Sequence, residues 1–398
     1  MHIATANAYN ISLDQLMTRQ QNLANAQEQL TSGKRVNRAS DDPAAAARAE
    51  RALAAEARST AIQRAVDASD NAMTLSESAL GDAGELLQQI REKLVQAGNT
   101  SLADADRKSI AAEVSEMRKQ LFSIANRTDG AGTYLFGGQS ADQPPFIDAI
   151  GGVQFTGQAG AQQAASGEPL PLTVDGDTAW MRAGSGNGVF ATRAVTSTGS
   201  ARIDGGSVTN PQALTGDTYT VTFSVSGGST TYTVLQNGSP TTPPQSNIAF
   251  SPGQSVQVDG MSAAISGNPA NGDVFELAPS TPVSVFDAVD QAIADLNAPN
   301  RTNTQNAQAA STNLTTIDSV MGQLQSARSQ VGATLNRADG VTDRLSALKL
   351  ASQTERSNAE SLDMTQAISD FGNQQTGYDA ALKTYSMVQK LSLFNYLG

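Results

Sequence analysis

The chain has 398 residues, a formal net charge of −12 at pH 7 and no cysteine, and aromatic residues make up 5% of it. The length predicts two or three domains and is sufficient for a sizeable core. The negative charge argues against binding to nucleic acid or to an anionic membrane, because both need clustered Lys and Arg. Without cysteine, disulfides, thiol chemistry and cysteine metal sites are excluded.

Targeting segments of the usual kind are not evident in the sequence. The stretch from Met1 to Asn10 carries no Lys or Arg and no continuous apolar run, so it does not resemble a secretory signal peptide. A run of about 18 apolar residues, which a transmembrane helix requires, is also missing. If the protein leaves the cell, we expect a dedicated apparatus to export it without cleaving a leader.

The two ends of the chain carry the same heptad pattern. Apolar side chains alternate at spacings of three and four, which predicts one narrow apolar stripe along each terminal helix and requires a partner helix. We call these positions the assembly seam. Its members are Tyr9, Leu13, Leu16, Leu23, Leu30, Met364, Ile368, Phe371, Tyr378, Leu382 and Tyr385. We expect the two termini to meet each other and copies of themselves, and to be largely disordered in the free monomer.

Capping signals divide the first 130 residues into helices. Gly33 can adopt the left-handed conformation that ends a helix, and a short basic linker follows it. Asp42 is suited to cap the next helix and Pro43 to occupy its first position. Apolar heptads then continue, and Ser101 and Asp104 have the spacing of a capping box for a further helix.

The middle region, residues 141–280, changes from a helical period to a period of two and contains three basic residues. Residues 219–225 alternate apolar and polar side chains, a Gly-Gly turn follows, and residues 231–235 form the returning strand of a predicted hairpin. A second hairpin is predicted within residues 256–265. We therefore predict a β-rich insert whose loops are too rich in Gly and Pro for helices.

The helical pattern returns at about residue 283, is interrupted by a polar Asn/Thr/Gln stretch, and resumes at Leu314. The predicted fold is mainly α with a β-rich insert: long N- and C-terminal helices pair as a coiled-coil-like rod and the β domain lies between them. The predicted domains are terminal helices at 1–43 and 351–398, a helical rod at 44–140 and 281–350, and the insert at 141–280.

Catalytic patterns are nearly absent. His2 is the sole histidine, so histidine triads and histidine metal clusters are not expected. Asp175-Gly-Asp177 lacks the later acidic ligands of a calcium loop and is interpreted as a solvated acidic turn. The glycines between Gly184 and Gly188 have the wrong spacing for a nucleotide loop and are interpreted as a flexible turn. We predict a protein that is not an enzyme and has no cofactor or metal.

The segment Leu30-Thr-Ser-Gly-Lys-Arg-Val-Asn-Arg-Ala-Ser-Asp-Asp-Pro43 closely resembles the N-terminal signature of the bacterial flagellin family. The helix–insert–helix plan over residues 1–140 and 283–398 is similar to that family as well. Gly132-Thr-Tyr-Leu-Phe-Gly-Gly138 and the ending at residues 388–397 resemble the hook–filament junction members of the family rather than its filament subunits.

The resemblance implies a structural axial protein of the bacterial flagellum, which forms a ring between hook and filament. The terminal helices would line the inner tube and the insert would face outward. The implied partners are further copies of the chain, an adjacent junction protein, flagellin, a cytosolic export chaperone for the C-terminal helix, and the type III export apparatus. Nucleic acid and membrane are not expected partners. The alternatives are a filament flagellin and a surface-binding, adhesin-like role of the Thr-rich strands.

Overall fold

The computed structural model describes residues 2–99, 102–164 and 167–397, with side chains from Asn10 to Met387 inside these ranges. It divides into two compact units. Unit 1 consists of Met1–Arg64 and Val341–Gly398, and unit 2 of Ala65–Gly340. The helices are α1 (His2–Ser32), α2 (Pro43–Ala97), α3 (Asp104–Ala125), α4 (Val285–Asn297), α5 (Asn303–Glu360) and α6 (Met364–Leu397).

The helix ends follow the sequence signals at two of the three predicted places. Gly33 has a φ of +69°, the conformation that glycine adopts without strain. The Asp42 carboxylate accepts the N–H groups of Ala44 at 3.1 Å and Ala45 at 2.9 Å and so caps α2. These observations confirm the predicted end of α1 and start of α2.

The start of α3 differs from the prediction. Ser101, the predicted capping residue, lies outside the described residues. Asp104 is the first residue of the helix rather than its third. The N-terminal contact comes from Asp106, whose carboxylate accepts the N–H group of Ala103 at 3.3 Å. The sequence offered several acidic residues in this turn, and spacing did not identify the one that makes the contact.

Unit 1 is helical. α1 packs along α6, and the N-terminal part of α2 packs along the C-terminal part of α5. Between the latter two, Glu56 accepts a hydrogen bond from Gln353 at 2.9 Å and pairs with Arg356 at 3.2 Å. The apolar side chains that are buried here are Val36, Ala45, Ala49, Ala52, Val341, Leu345 and Ala359.

Unit 2 contains a large helical core. The predicted heptad side chains of α2 from Val66 to Leu94 are almost completely buried there. Most of those of α3, α4 and the first half of α5 are buried with them, and the partly buried ones are Met117, Ile293, Leu314, Met321 and Leu335. At its centre the ring of Trp180 stacks on Phe286, with centroids 5.8 Å apart. Ion pairs connect α2 with α5, from Arg91 to Asp318 at 2.6 Å and from Arg328 to Glu77 at 2.7 Å.

The strands of unit 2 form two larger sheets and two short ribbons. The strands are β1 (Phe146–Ala149), β2 (Gly152–Phe155), β3 (Ala183–Gly184), β4 (Phe190–Thr196), β5 (Arg202–Ile203), β6 (Ser207–Val208), β7 (Tyr219–Ser226), β8 (Ser229–Gln236), β9 (Ser239–Pro240), β10 (Ile248–Ala249), β11 (Gln254–Val258), β12 (Met261–Ser266), β13 (Val274–Pro279) and β14 (Pro282–Val283). One sheet has the order β10-β8-β7-β13-β4 with β9 beside β8, and the other has the order β11-β12-β5 with β6 beside β12. The β7–β8 and β11–β12 pairs confirm both predicted hairpins.

The region predicted as one insert contributes to two separate cores. Side chains between Phe146 and Ala183 belong to the helical core, whereas those between Phe190 and Leu277 form a core of their own between the two sheets. We call this second body the sandwich. The expectation that the insert is too rich in Gly and Pro for helices is wrong at Asp177–Met181, a short π-helical turn that buries Trp180.

The polar Asn/Thr/Gln stretch interrupts the last helices over only part of its length, between the end of α4 at Asn297 and the start of α5. α5 begins at Asn303, so the rest of this stretch is helical, and Gln308 and Asn313 within it are buried. Their polarity suits the backbone and side-chain groups that they contact, which is why the apolar pattern is lost while the helix continues. Along the part of the chain that the structure describes, no helix has the length and apolar character to cross a membrane.

The motif Gly132–Gly138 closes tightly on the segment that follows it. Leu135 and Phe136 are buried in the helical core. Gly138 has a φ of +67°, and a Cβ at this position would lie 1.8 Å from the carbonyl oxygen of Gln158. Only glycine fits this close approach of two backbones, so the motif marks a junction between the helices and the inserted strands.

Candidate assembly surface

The basic linker after α1, which contains Lys34, Arg35 and Arg38, contacts the chain where α5 ends and α6 has not yet begun. The Arg35 N–H group bonds to the Glu360 carbonyl at 2.7 Å, and the Arg35 guanidinium bonds to the Ala359 carbonyl at 3.0 Å. Lys34 faces Ser361 in an antiparallel bridge. Because these partners are the last residues of α5 and the first after it, the linker holds the two ends of the chain together.

Two aspartates hold the linker in its turn. The Asp41 carboxylate accepts the N–H groups of Asn37 at 3.0 Å and Arg38 at 2.8 Å. Asp42 pairs with Arg35 at 3.1 Å. Backbone N–H donation from Ala45, and then the Arg35 side chain, lower the pKa of the Asp42 carboxyl. The sequence showed the charges of this segment, but no periodic signal identified its partners at the end of α5.

On α1, each member of the assembly seam whose side chain is described is partly buried. Leu13, Leu16, Leu23 and Leu30 are half-buried where α1 packs along α6. The side chain of Tyr9 lies outside the described residues. The heptad positions of α1 therefore lie on the side of the helix that contacts the other end of the chain.

On α6, the seam residues fall into two groups. Phe371, Tyr378 and Tyr385 are half-buried. Met364, Ile368 and Leu382 are exposed, at 45%, 59% and 39% of their full accessible surface. The structure therefore does not bring all the seam residues of α6 into the contact with α1.

Helical spacing explains this division. Phe371, Tyr378 and Tyr385 repeat every seven residues, and the smaller half-buried side chains beside them are Ala367, Gln374 and Ala381. These lie on one side of that row, and Ile368 and Leu382 lie on the other. Met364 continues the row itself, seven residues before Phe371, and is exposed in the first turn of α6. We call the first side the covered flank and the side with Ile368 and Leu382 the open flank. The sequence analysis missed the covered flank because Ala and Gln carry little apolar signal.

The acidic turn at Asp175 is occupied by local hydrogen bonds. The Asp175 carboxylate accepts the N–H group of Asp177 at 3.1 Å and the Thr178 hydroxyl at 2.9 Å. Asp177 pairs with Arg182 at 2.5 Å. Within the described ranges, no three His, Cys, Asp or Glu side chains come together in a way that could hold a metal ion.

The chain thus combines long terminal helices, an inserted β body and an exposed apolar flank on its last helix. Two family models match it: the bacterial flagellin N-terminal helical region over residues 3–141 and the bacterial flagellin C-terminal helical region over residues 314–397. Together they match more than half of the chain.

Individual relatives agree. Flagellar hook-associated protein 3 of Salmonella typhimurium is 34% identical over 172 residues, 43% of this chain and 54% of that protein. The chain thus spans about half the length of the curated relatives it matches. The crystal structure of the flagellar junction protein FlgL from Legionella pneumophila matches with a TM-score of 0.65 and 33% identity, over 70% of this chain and 94% of that one.

A crystal structure of FlgL from Xanthomonas campestris matches with a TM-score of 0.68 and 31% identity, covering 78% of this chain and 99% of that one. The chain therefore belongs to the bacterial flagellin family, in which it groups with flagellar hook-associated protein 3. Its relatives of this kind are structural components of the flagellum.

Proposed function

We propose that the chain is a structural, non-catalytic subunit of the ring that connects hook to filament in the bacterial flagellum. In this role it binds further copies of itself, and the exposed face of the assembled ring templates the assembly of flagellin. The observation that carries the proposal is the open flank of α6. α1 covers one side of the heptad row, and the apolar side chains on the other side are available to a helix of a neighbouring subunit.

The energetics favour assembly over a stable isolated pair of helices. Complete burial of one Ile or Leu side chain contributes about 1.5–3 kcal/mol. A contact that buries Ile368 and Leu382 is modest for one subunit, but it recurs at every subunit of a closed ring. The same arithmetic supports the proposal that α1 and α6 are largely disordered in the free subunit and fold when neighbours cover them.

The partners and the location follow from the same role. We propose contacts with the adjacent junction protein on one side and with flagellin on the other. Before assembly, an export chaperone would cover the open flank of the C-terminal helix in the cytosol. The subunit would reach the flagellum through the type III export apparatus, without a cleaved signal peptide, and would act outside the cell. The similarity to a flagellar hook-associated protein and to a flagellar junction protein supports this location.

The substitution Ile368→Asp tests the open flank directly. We expect it to prevent incorporation into flagella, because a carboxylate cannot be buried unpaired against an apolar partner. Asn373→Asp, which adds the same charge at an exposed position on another side of α6, is the matched control and should assemble normally. Incorporation is measured by immunogold labelling of purified hook–filament structures. Normal incorporation of the Ile368→Asp variant would contradict the assembly role of the open flank.

Deletion of the gene separates the junction role from that of a filament subunit. We expect electron microscopy to show hooks without filaments, and immunoblots to show flagellin released into the medium. Hooks without filaments and without any flagellin in the medium would instead identify the chain as the filament subunit. Normal flagella would contradict both roles.

A surface-binding role of the Thr-rich strands has weaker support. Tyr219 and Phe223 of β7 point into the sandwich and are buried, which leaves Thr220 and Thr222 on the outer side. Aromatic rings that could stack on a sugar are thus turned inward along this strand. Binding of the full-length chain to a glycan array through this face would revive the adhesin-like alternative.

A further inference from the structure

The sandwich meets α5 through polar groups. Its apolar core is formed by strand and loop residues between Phe190 and Leu277, and the helical core has its own members. Among the described residues, none belongs to both cores. Bodies of one chain that share little apolar contact are expected to move relative to each other unless something else fixes them.

A single glutamine of α5 makes a pair of hydrogen bonds with the edge of the sandwich. The Gln308 side-chain oxygen accepts the N–H group of Ile203 at 2.8 Å, and its amide nitrogen donates to the Ile203 carbonyl at 3.0 Å. The amide nitrogen also donates to the Thr312 hydroxyl at 3.2 Å, one turn further along α5. Gln308 is only 9% exposed, so these bonds are largely shielded from water.

The register of β5 explains why Ile203 needs this partner. β5 pairs with β12, where Ile203 lies opposite Ile265 and the N–H group of Asp204 bonds to the Ala264 carbonyl at 3.1 Å. Backbone groups of successive residues point to opposite sides of a strand, so the N–H and C=O groups of Ile203 face away from β12. The Gln308 amide occupies the place of a neighbouring strand and covers this edge.

Two further contacts of α5 lie on the same side of the helix. Thr315 packs beneath Gly205, where a Cβ would come within 2.8 Å of the Thr315 hydroxyl oxygen. The Ser319 hydroxyl donates to the Gly184 carbonyl at 2.6 Å, next to the point where the chain enters the sandwich. Positions 308, 315 and 319 are spaced by seven and four residues and form one row along α5.

We propose that Gln308 fixes the orientation of the sandwich on α5, with Thr315 and Ser319 supporting it. A pair of hydrogen bonds from one amide to one backbone residue permits a single relative geometry. An apolar contact is not directional and would allow the two bodies to slide. When the contact opens, the N–H and C=O groups of Ile203 lose their partners together, so the closed orientation is favoured. This orientation of the sandwich on α5 does not depend on the proposed place of the chain in the flagellum.

Double electron–electron resonance, which measures the distance between two spin labels, tests this proposal on the full-length chain. Since the sequence contains no cysteine, Ala112→Cys on α3 and Ser226→Cys on β7, both exposed, provide unique sites for two spin labels. We expect one narrow distance distribution in this labelled parent. Gln308→Ala should broaden it at least twofold. Gln325→Ala, which removes an exposed glutamine from the same helix, is the matched control and should leave it narrow.

A second variant separates the hydrogen bonds from the bulk of the side chain. Gln308→Glu keeps the size of the side chain but replaces its donor with an oxygen that faces the Ile203 carbonyl, so it should broaden the distribution as well. Hydrogen exchange at the Ile203 amide should accelerate at least tenfold in both variants. Unchanged Trp180 fluorescence would show that the helical core is intact. Narrow distributions in both variants would overturn the proposal, since the orientation would then be fixed elsewhere.

Discussion

The α1–α6 pair and the helical core of unit 2 use the same heptad pattern with different results. In unit 2 the heptad side chains of α2 from Val66 to Leu94 are almost completely buried, because α3, α4 and α5 supply neighbours. In α1 and α6, none of the side chains that the structure describes is fully buried. A heptad pattern thus predicts the stripe of a helix near which contacts form, and the number and position of the neighbouring helices decide which part of that stripe is buried.

The largest expected effect comes from emptying the centre of the helical core. Phe286 lies within 6.0 Å, centroid to centroid, of the rings of Phe122, Phe146 and Trp180. Phe286→Ala should lower the free energy of unfolding by about 3–5 kcal/mol, since it leaves a cavity in a packed core. Urea unfolding followed by the fluorescence of Trp180, the sole tryptophan, measures this loss.

Phe371→Ala in α6 is the matched substitution in the terminal pair. Its ring is half-buried in the contact with α1, and we propose that this helix pair is largely disordered in the free subunit. We therefore expect a loss of at most about 1 kcal/mol in the monomer, measured by hydrogen exchange of the α6 amides. Equal losses in the free energy of unfolding at Phe286 and Phe371 would contradict this difference, because the α1–α6 pair would then be as well packed as the helical core.

An intermediate effect is expected at Asp273, which is buried in the sandwich. Burial raises the pKa of its carboxyl, but hydrogen bonds from Thr198, Ala270 and Gly199 outweigh this and lower the pKa below its usual range. The unfolded chain therefore takes up a proton before the folded one does as the pH falls. The stabilisation from Asp273 is complete above the ordinary Asp pKa of about 3.9 and is lost as the pH falls below it.

Asp273→Asn makes this pH dependence measurable. At neutral pH we expect a loss of about 2 kcal/mol, because the amide cannot accept all the N–H groups that surround the carboxylate. The difference from the parent should shrink between pH 5 and pH 3, as followed by hydrogen exchange of the β7 and β13 amides. A difference that is constant over this range would show that the carboxylate charge does not stabilise the sandwich.

The smallest expected effect concerns the clamp between the chain ends. Arg35→Ala removes the hydrogen bond to the Ala359 carbonyl and the pair with Asp42, and should lower the stability of unit 1 by about 1 kcal/mol. Arg38→Ala, whose more exposed guanidinium pairs with Glu28 at 3.3 Å, should change it by less than about 0.5 kcal/mol. Hydrogen exchange at the start of α2 compares them. Equal effects would indicate that charge alone holds the linker.

The sequence predicted those parts of the fold that depend on local spacing. The heptads identified the helices, alternation identified the β7–β8 and β11–β12 hairpins, and Gly33 and Asp42 marked helix ends. Each of these signals lies within a short segment, because the physical cause acts between residues a few positions apart.

Contacts between distant segments could not be predicted in this way. The partners of Arg35 at the end of α5 and the partner of Gln308 in β5 are set by tertiary packing, and a polar stretch at 303–313 carried no helical period to reveal either its helix or its role. The open flank was within the predicted seam, but its separation from the covered flank depends on where α1 lies. A pattern of apolar residues alone does not contain that direction.

The paired strands at the base of the sandwich have a consequence for how the chain tolerates change. β3 leads into the sandwich and β14 leads out of it, and Gly184 lies opposite Pro282 in an antiparallel pair. The first and last residues of the segment between β3 and β14 are thus neighbours, and this segment has a core of its own. We therefore expect that a short turn can replace the sandwich by joining β3 directly to β14. A domain of another size can be inserted at the same place, and in neither case do the helices need to move.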